Sequence, residues 1–329
     1  MNLSIVIAAY NVGFFIEKCI KSCIQQNIKT YDYEVIVVND GSNDDTFNIL
    51  NKLKSEFKNL VVVNTKNKGL GAARNIGLTH AKGKYVWFID GDDYLSENIL
   101  KEIVNNLNKI DCLVINYNII DADLNVVNKS VFKPILDNND FSGKMFYRNN
   151  LTKSYTWLFI FKKSILINNS IRFLDRISMQ DAEVLPRIMF YIHNIKFLNL
   201  NSYNYVQHLN SSTNSESQSR RYNYFKSITI VKSSLEKFRA QLKNDCCLEE
   251  ALNLKIISLN YIVFQHLIHF KYQRDCIYKI INLLKMNSMY PIHVTTNNIK
   301  YKIILLFLNC FPYFTNYFIS KLKKIKSII

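Results

Sequence analysis

Lys84-Tyr85-Val86-Trp87-Phe88-Ile89-Asp90-Gly91-Asp92-Asp93 is the stretch that decides the fold. The apolar run Lys84–Ile89 reads as a buried strand that stops at Asp90. Three carboxylates then fall within four residues. Held on one turn they repel one another, and a cation among them would relieve that repulsion. Hard oxygen ligands suit Mg²⁺ or Mn²⁺, and such an ion offsets the charge of a pyrophosphate leaving group. The turn also has a plainer reading, as a cap and turn leading into the helix that follows Ser96.

Upstream, the chain alternates strand and helix. Apolar runs at Leu3–Ala9, Glu34–Val38 and Leu60–Val63 predict three more strands. Segments with helical periodicity at Gly13–Gln26, Asp44–Phe57 and Leu70–Ala81 predict the helices between them. This pattern predicts an α/β fold, Rossmann-like, with a mostly parallel sheet and helices on both faces. Only 8 glycines and 4 prolines argue against a loop-rich all-β fold. Ligands of such sheets bind beyond the carboxyl ends of the strands. Polar groups gather at all four ends: Tyr10-Asn11, Asn39-Asp40-Gly41-Ser42, Asn67-Lys68-Gly69 and Asp90–Asp93.

Downstream, strands are expected near Cys112–Tyr117 and Lys196–Tyr205, with a helix over Ala182–Ile192. After the polar stretch Asn210–Ser219 the pattern is mainly helical. The expected organisation is therefore a domain over 1–212, in halves 1–120 and 121–212, and a helical region over 213–329. The net charge of +16 leaves nucleic acid, anionic lipid and phosphorylated substrates as partner classes. Asp275 is the last acid and eight lysines follow it. A basic excess concentrated in a tail argues against a nucleic-acid-binding face. Seven cysteines are an odd number without metal-finger spacing, and Cys19 and Cys23 read as core with Ile16, Ile20 and Ile24. No export signal is read before Leu3, so the expected location is cytoplasmic.

Four motifs in order carry a resemblance. They are Ser4–Asn11, Val37–Thr46, Asn67–Asn75 with its Gly-Ala-Ala-Arg-Asn turn, and Asp90–Asp93. Together they closely resemble family 2 inverting glycosyltransferases of the GT-A fold, well over residues 1–120 and more weakly to about 213. The resemblance implies a nucleotide-sugar donor, a UDP-sugar, bound by residues 1–120, and a saccharide acceptor on the 121–212 side. Asp40 would bind the nucleobase, in a pocket completed by Ala9, Tyr10 and Asn11. Asp90, with Gly91, would approach the ribose, and Arg74 would support the donor site. Asp92 would ligate Mn²⁺ or Mg²⁺ on the diphosphate, with His208 nearby. Asp181 would be the general base, although Gln180 stands where the family has a glutamate, and it could also cap a helix beginning at Ala182. Trp157 heads the aromatic run Trp157–Phe161 and would contact the acceptor, while Phe159 and Phe161 read as core. Ala8 stands where proline is frequent.

Two rivals fit less well. Gly69-Leu70-Gly71 as a dinucleotide fingerprint would need glycine or alanine where Arg74 stands. A sugar-1-phosphate nucleotidyltransferase would need a basic glycine-rich loop, and Ala8–Gly13 holds no lysine or arginine. The tail 301–329 is apolar and aromatic, interrupted by Asn309, Pro312 and Asn316, and followed by Lys321, Lys323, Lys324 and Lys326. It reads as an interfacial segment on anionic headgroups at the inner face of the cell membrane. The alternative is a helix docked on the protein's own core or on a second subunit. The acceptor, on the same reading, is lipid-linked and serves a bacterial surface polysaccharide.

Overall fold

In the computed structural model of the chain the described residues are 1–29, 32–121, 123, 125–129, 134–135, 141–152, 154–207, 217–242 and 245–311. Two compact units arise, one of Met1–Arg176 with Gln180–Ser211, the other of Ile177–Met179 with Ser212–Ile329.

The first unit opens with β1 (Leu3–Ala9), α1 (Gly13–Ile24), β2 (Tyr33–Asn39), α2 (Thr46–Glu56), β3 (Leu60–Asn64), α3 (Leu70–His80) and β4 (Tyr85–Asp90). It continues with β5 (Tyr94–Leu95), α4 (Leu100–Asn106), β6 (Cys112–Ile120), β7 (Val126–Lys129) and α5 (Gly143–Asn149). β8 (Phe159–Lys162), α6 (Lys163–Asn168), α7 (Gln180–Phe190) and β9 (Ile195–Val206) complete it. One sheet takes the order β3-β2-β1-β4-β8-β6-β9-β5, with β7 on β6. The predicted parallel pairing holds for β1 to β4 and for β6 with β9. β5, β7 and β8 enter antiparallel, so the sheet is mixed beyond β4. β8 lies inside the run read only as aromatic core. Four residues are too few to display a period, and Phe159, Ile160 and Phe161 are all buried.

Every residue of β1 and β2 is buried, so both faces of the sheet are covered there. α3 packs against β1 at unusually close range. A Cβ on Gly77 would lie 2.2 Å from Val6 Cγ1, and one on Gly71 would lie 2.2 Å from the Leu174 carbonyl. Glycine at these positions is a matter of room.

The segment Ser42–Thr46 braces the first two strand ends. Ser42 Oγ accepts from the Asn11 N–H, and Asn11 Oδ1 accepts from the Asn43 N–H. Thr46 Oγ1 and Asp44 Oδ2 accept from the N–H groups of Val12 and Gly13, which lie at the start of α1 and lack partners within it. Asp44 is exposed; a small desolvation works against its charge, but the bonds from Thr46 and Gly13 prevail and hold its pKa low. Asn11 itself takes φ of 53°, a conformation asparagine tolerates better than most residues.

The second unit is helical: α8 (Gln218–Gln241), α9 (Cys246–His269), α10 (Arg274–Met286) and α11 (Ile299–Cys310). Phe225, Ile228, Val231 and Leu235 of α8 are buried, as are Leu252, Leu259, Val263 and Leu267 of α9. Asp245 and Asn298 cap α9 and α11 through their side chains. By length and composition α9 is apolar enough to cross a bilayer, and 44% of that stretch is buried within the protein. Of the tail 301–329, residues through Phe311 are described and the four closing lysines lie outside them.

Substituting Gly77→Ala should lower stability by about 1–3 kcal/mol, the usual range for overpacking. Thermal melts of Gly77→Ala, Val6→Ala and the double variant test the contact. The pair together should cost less than the sum of the two, and strict additivity would show that α3 moves away freely.

Candidate active site

A buried guanidinium stands at the centre of the strand ends. Arg74, in the first half of α3, is 1% exposed. Its Nη2 donates to Asp90 Oδ1 at 2.7 Å and its Nη1 to Asp181 Oδ1 at 2.6 Å. The end of β4 and the first turn of α7 are thereby joined through α3. Burial alone would lower the pKa of Arg74, but Asp181 and then Asp90 outweigh it, and the group is held more firmly charged than usual. The Arg74 guanidinium carbon lies 5.3 Å from the centre of the Phe173 ring, which covers one side.

Asp181 receives a second donor, the hydroxyl of buried Thr156, on the same oxygen at 2.5 Å. Its Oδ2 meets no donor among the described residues. α7 starts at Gln180, two residues earlier than a cap at Asp181 requires, and Asp181 sits inside the first turn. Glu183, the other acid of that turn, is 1% exposed and accepts from Arg187 at 2.7 Å.

The three acids of the turn after β4 differ in their surroundings. Asp93 faces inward: its Oδ2 accepts from the Tyr203 hydroxyl at 2.5 Å and its Oδ1 from the Val206 N–H at 2.7 Å. Tyr203 Oη in turn accepts from the Asp90 N–H. Asp93 therefore fastens the turn to the end of β9 and is not available to a ligand. Asp92 is half-buried, and Asp90 keeps 26% of its side chain exposed beside Arg74. Burial raises Asp93 well above the usual carboxylate range, with Asp92 and Asp90 adding to it. Burial also raises Asp90, opposed by Arg74 and reinforced by Asp92 and Asp181.

Other predicted residues divide similarly. Asp40 is 2% exposed, and its two oxygens accept from the N–H groups of Lys68 (2.8 Å) and Gly69 (2.7 Å), so it ties β2 to the loop before α3. Ala9 is buried at the end of β1 and Tyr10 is 47% exposed just beyond it. Gly91 is buried; a Cβ there would lie 3.0 Å from the Ala8 carbonyl, so a side chain would crowd the turn against β1. Trp157, expected to contact the acceptor, is a buried residue. It is 3% exposed, its ring stacked on Tyr203 at 4.4 Å and on Tyr155 at 5.1 Å. The exposed ring of that stack is Tyr155, at 41%. His208 lies outside the described residues. Thr156 and Tyr203 escaped the sequence reading because neither stands in a motif and both act on residues far along the chain.

A divalent ion fits what is left. Among the described residues no group of three His, Cys, Asp or Glu side chains is placed to enclose one. Asp92, half-buried beside Asp90 and Asp93, suits an ion held by one or two protein oxygens and completed by substrate phosphates.

Comparison with known proteins supplies the family. The family model described as glycosyl transferase family 2 matches residues 4–171 of the 329. The chain belongs to glycosyl transferase family 2. It is 25% identical over 282 residues to a cholesterol galactosyltransferase of Borreliella burgdorferi, covering 82% of this chain and 75% of that protein. It is 40% identical over 102 residues to a poly(ribitol-phosphate) beta-glucosyltransferase of Bacillus spizizenii, covering 30% of this chain and 16% of that protein. The match thus spans less than a fifth of one relative and three quarters of the other. The fold resembles that of S. aureus TarS 1-349, solved in complex with UDP: TM-score 0.63 and 17% identity over 99% of this chain and 92% of that one. The GT-A fold expected from the motifs is thereby found, with a helical region after it. Family membership makes the chain a glycosyltransferase.

The raised carboxylates have a consequence for stability. A carboxyl whose folded pKa lies above its unfolded value, about 3.9 for aspartate, binds its proton more tightly when folded. Its penalty is full above the folded pKa and disappears as pH falls through it toward the unfolded value. Asp92→Asn removes one source of that penalty from both Asp90 and Asp93. Without metal, the variant should melt higher than wild type at neutral pH, and the difference should shrink as pH falls through the raised pKa values. A variant that melts lower at neutral pH would show that Asp92 stabilises the turn instead.

Proposed function

We propose that the chain is an inverting transferase that moves a sugar from a UDP-sugar to a hydroxyl of a saccharide acceptor, with a divalent metal. The observation that carries this reading is the shared guanidinium, which holds one carboxylate at the end of β4 and another at the start of α7 in fixed relation. On this reading the donor lies across the ends of β1, β2 and β4. Tyr10, Asn11 and the backbone around Asp40 face the nucleobase, and Asp90 the ribose. Asp92, with His208, would hold Mn²⁺ or Mg²⁺. The ion would supply positive charge to the departing diphosphate.

Asp181 acts as the general base. Its Oδ1 is fixed by Arg74 and Thr156, and Oδ2 takes the proton of the acceptor hydroxyl as that oxygen attacks the anomeric carbon. Arg74 touches neither substrate; it keeps Asp181 anionic and oriented. The acceptor rests on Tyr155, the exposed end of the stack that Trp157 supports from below. The relatives' names include a poly(ribitol-phosphate), which supports a surface polymer, and cholesterol, which supports an acceptor that lies in a membrane. Such an acceptor would draw the protein to the inner face of the membrane, where the basic tail 301–329 would hold it peripherally. Residues 1–212 serve as the transfer domain, with donor side 1–120 and acceptor side 121–212. Residues 213–329 attach it to its substrate's surroundings.

UDP should raise the melting temperature with Mn²⁺ present and leave it unchanged with EDTA, with GDP as the competing nucleotide. Identical melts in every condition would remove the donor site from these strand ends. Asp92→Asn should abolish the metal-dependent shift.

Asp181→Asn should keep the UDP shift and lower transfer by roughly 10²–10⁴-fold, the range for losing a general base. Near wild-type transfer in this variant, with loss in Glu183→Gln, would assign the base to the other acid of the turn.

A further inference from the structure

The helical unit leaves an apolar surface open. Along α9, Leu254, Ile257 and Tyr261 are 46%, 57% and 45% exposed, at spacings that put them on one stripe. Along α11, Ile299, Ile303 and Leu306 are 71%, 51% and 68% exposed, again on one stripe. Ile257 and Leu306 line the same groove, of about 630 Å³, so the two stripes belong to one surface. The Phe264 and Tyr301 rings, 5.5 Å apart, hold the two helices together at its far end.

Charge selects what covers it. From Ala251 onward the sequence has eleven lysines and arginines and one acid, Asp275. Lys300 and Lys302 are exposed on α11, and Lys302 lines the groove. A second copy seated here would bring the same cations against these, and residues 312–329, with four lysines and no acid, would do so as well. An anionic bilayer accepts both parts of the surface, apolar residues among the acyl chains and lysines among the headgroups.

We propose that the α9–α11 face is the protein's seat on an anionic lipid surface, entered by Ile257, Tyr261, Ile303 and Leu306. This rests on the membrane reading of the function and moves the contact from the terminal lysines to a folded helix pair.

Flotation of the full chain with phosphatidylcholine vesicles, with and without phosphatidylglycerol, tests it. Ile257→Asp with Leu306→Asp should weaken binding to the anionic vesicles at least about tenfold, as expected when two apolar side chains are lost from the interface. UDP-sugar hydrolysis and the melting temperature should stay near wild type. Leu254→Gln with Tyr261→Ser should act in the same direction, and serves if the first pair does not fold. Wild-type flotation of both pairs, alongside loss in a variant with Lys321, Lys323, Lys324 and Lys326 changed to Gln, would overturn the face and leave the tail reading standing. No flotation by any protein would overturn both. A dimer in sedimentation velocity that Ile257→Asp with Leu306→Asp dissociates, with flotation unchanged, would make the surface a contact between copies and overturn the proposal.

Discussion

The first unit depends on one buried cation. An arginine that is 1% exposed has lost its hydration, and only charged partners in good geometry can replace what water supplied. Asp90 and Asp181 do this from two directions, one on each terminal nitrogen. A lysine could not hold both in this arrangement, because its single nitrogen lacks the planar fork. The consequence is geometric. β4, α3 and α7 come from separate stretches of chain, and their ends are placed relative to one another by two bonds of under 3 Å.

Around that centre, hydrogen bonding assigns the acids their tasks. Five aspartates stand at or beside the strand ends, and the sequence presents them as equals. Asp40 and Asp93 accept two hydrogen bonds each from other segments, Asp44 accepts one from Gly13 and one from Thr46 of its own turn, and all three serve as fasteners between loops. Asp90 and Asp92 keep part of their surface exposed. A site built this way has a rigid rim and few groups facing outward, which is what a ligand carrying its own phosphates and metal requires.

The parts that were legible in sequence are those where one physical rule dominates. β1, β2 and β4 are covered on both faces, so each is a continuous apolar run, and the polar residues that interrupt the runs mark the strand ends. β8 was not legible, since its four residues carry no period and its partners β4 and β6 lie far away in the chain. The stacking of Trp157 on Tyr203 was not legible, because an aromatic beside a site looks the same in sequence whether its face is open or covered. Thr156 was invisible for the same reason that Arg74 was only half understood. Their partner Asp181 stands 25 residues from one and 107 from the other, and no local pattern encodes such a contact.

The network also argues about purpose through its energetics. A buried ion pair rarely stabilises more than well-packed apolar residues of the same volume would, because desolvation cancels most of the attraction. Nor does the helix need a carboxylate there, since Asp181 lies inside the first turn of α7 and serine or asparagine could occupy that position without a charge. What neither substitute supplies is a carboxylate with one oxygen pinned by two donors and the other turned away from both. Arg74 and Thr156 meet on Oδ1 at 2.6 and 2.5 Å, which removes the rotational freedom of the group and fixes the direction of Oδ2. In the proposed reaction that direction is what matters, because a base must already face the hydroxyl when the attacking oxygen arrives. The stability given up by burying the Arg74 charge is then accounted for by orientation, in a place where packing alone could not supply it.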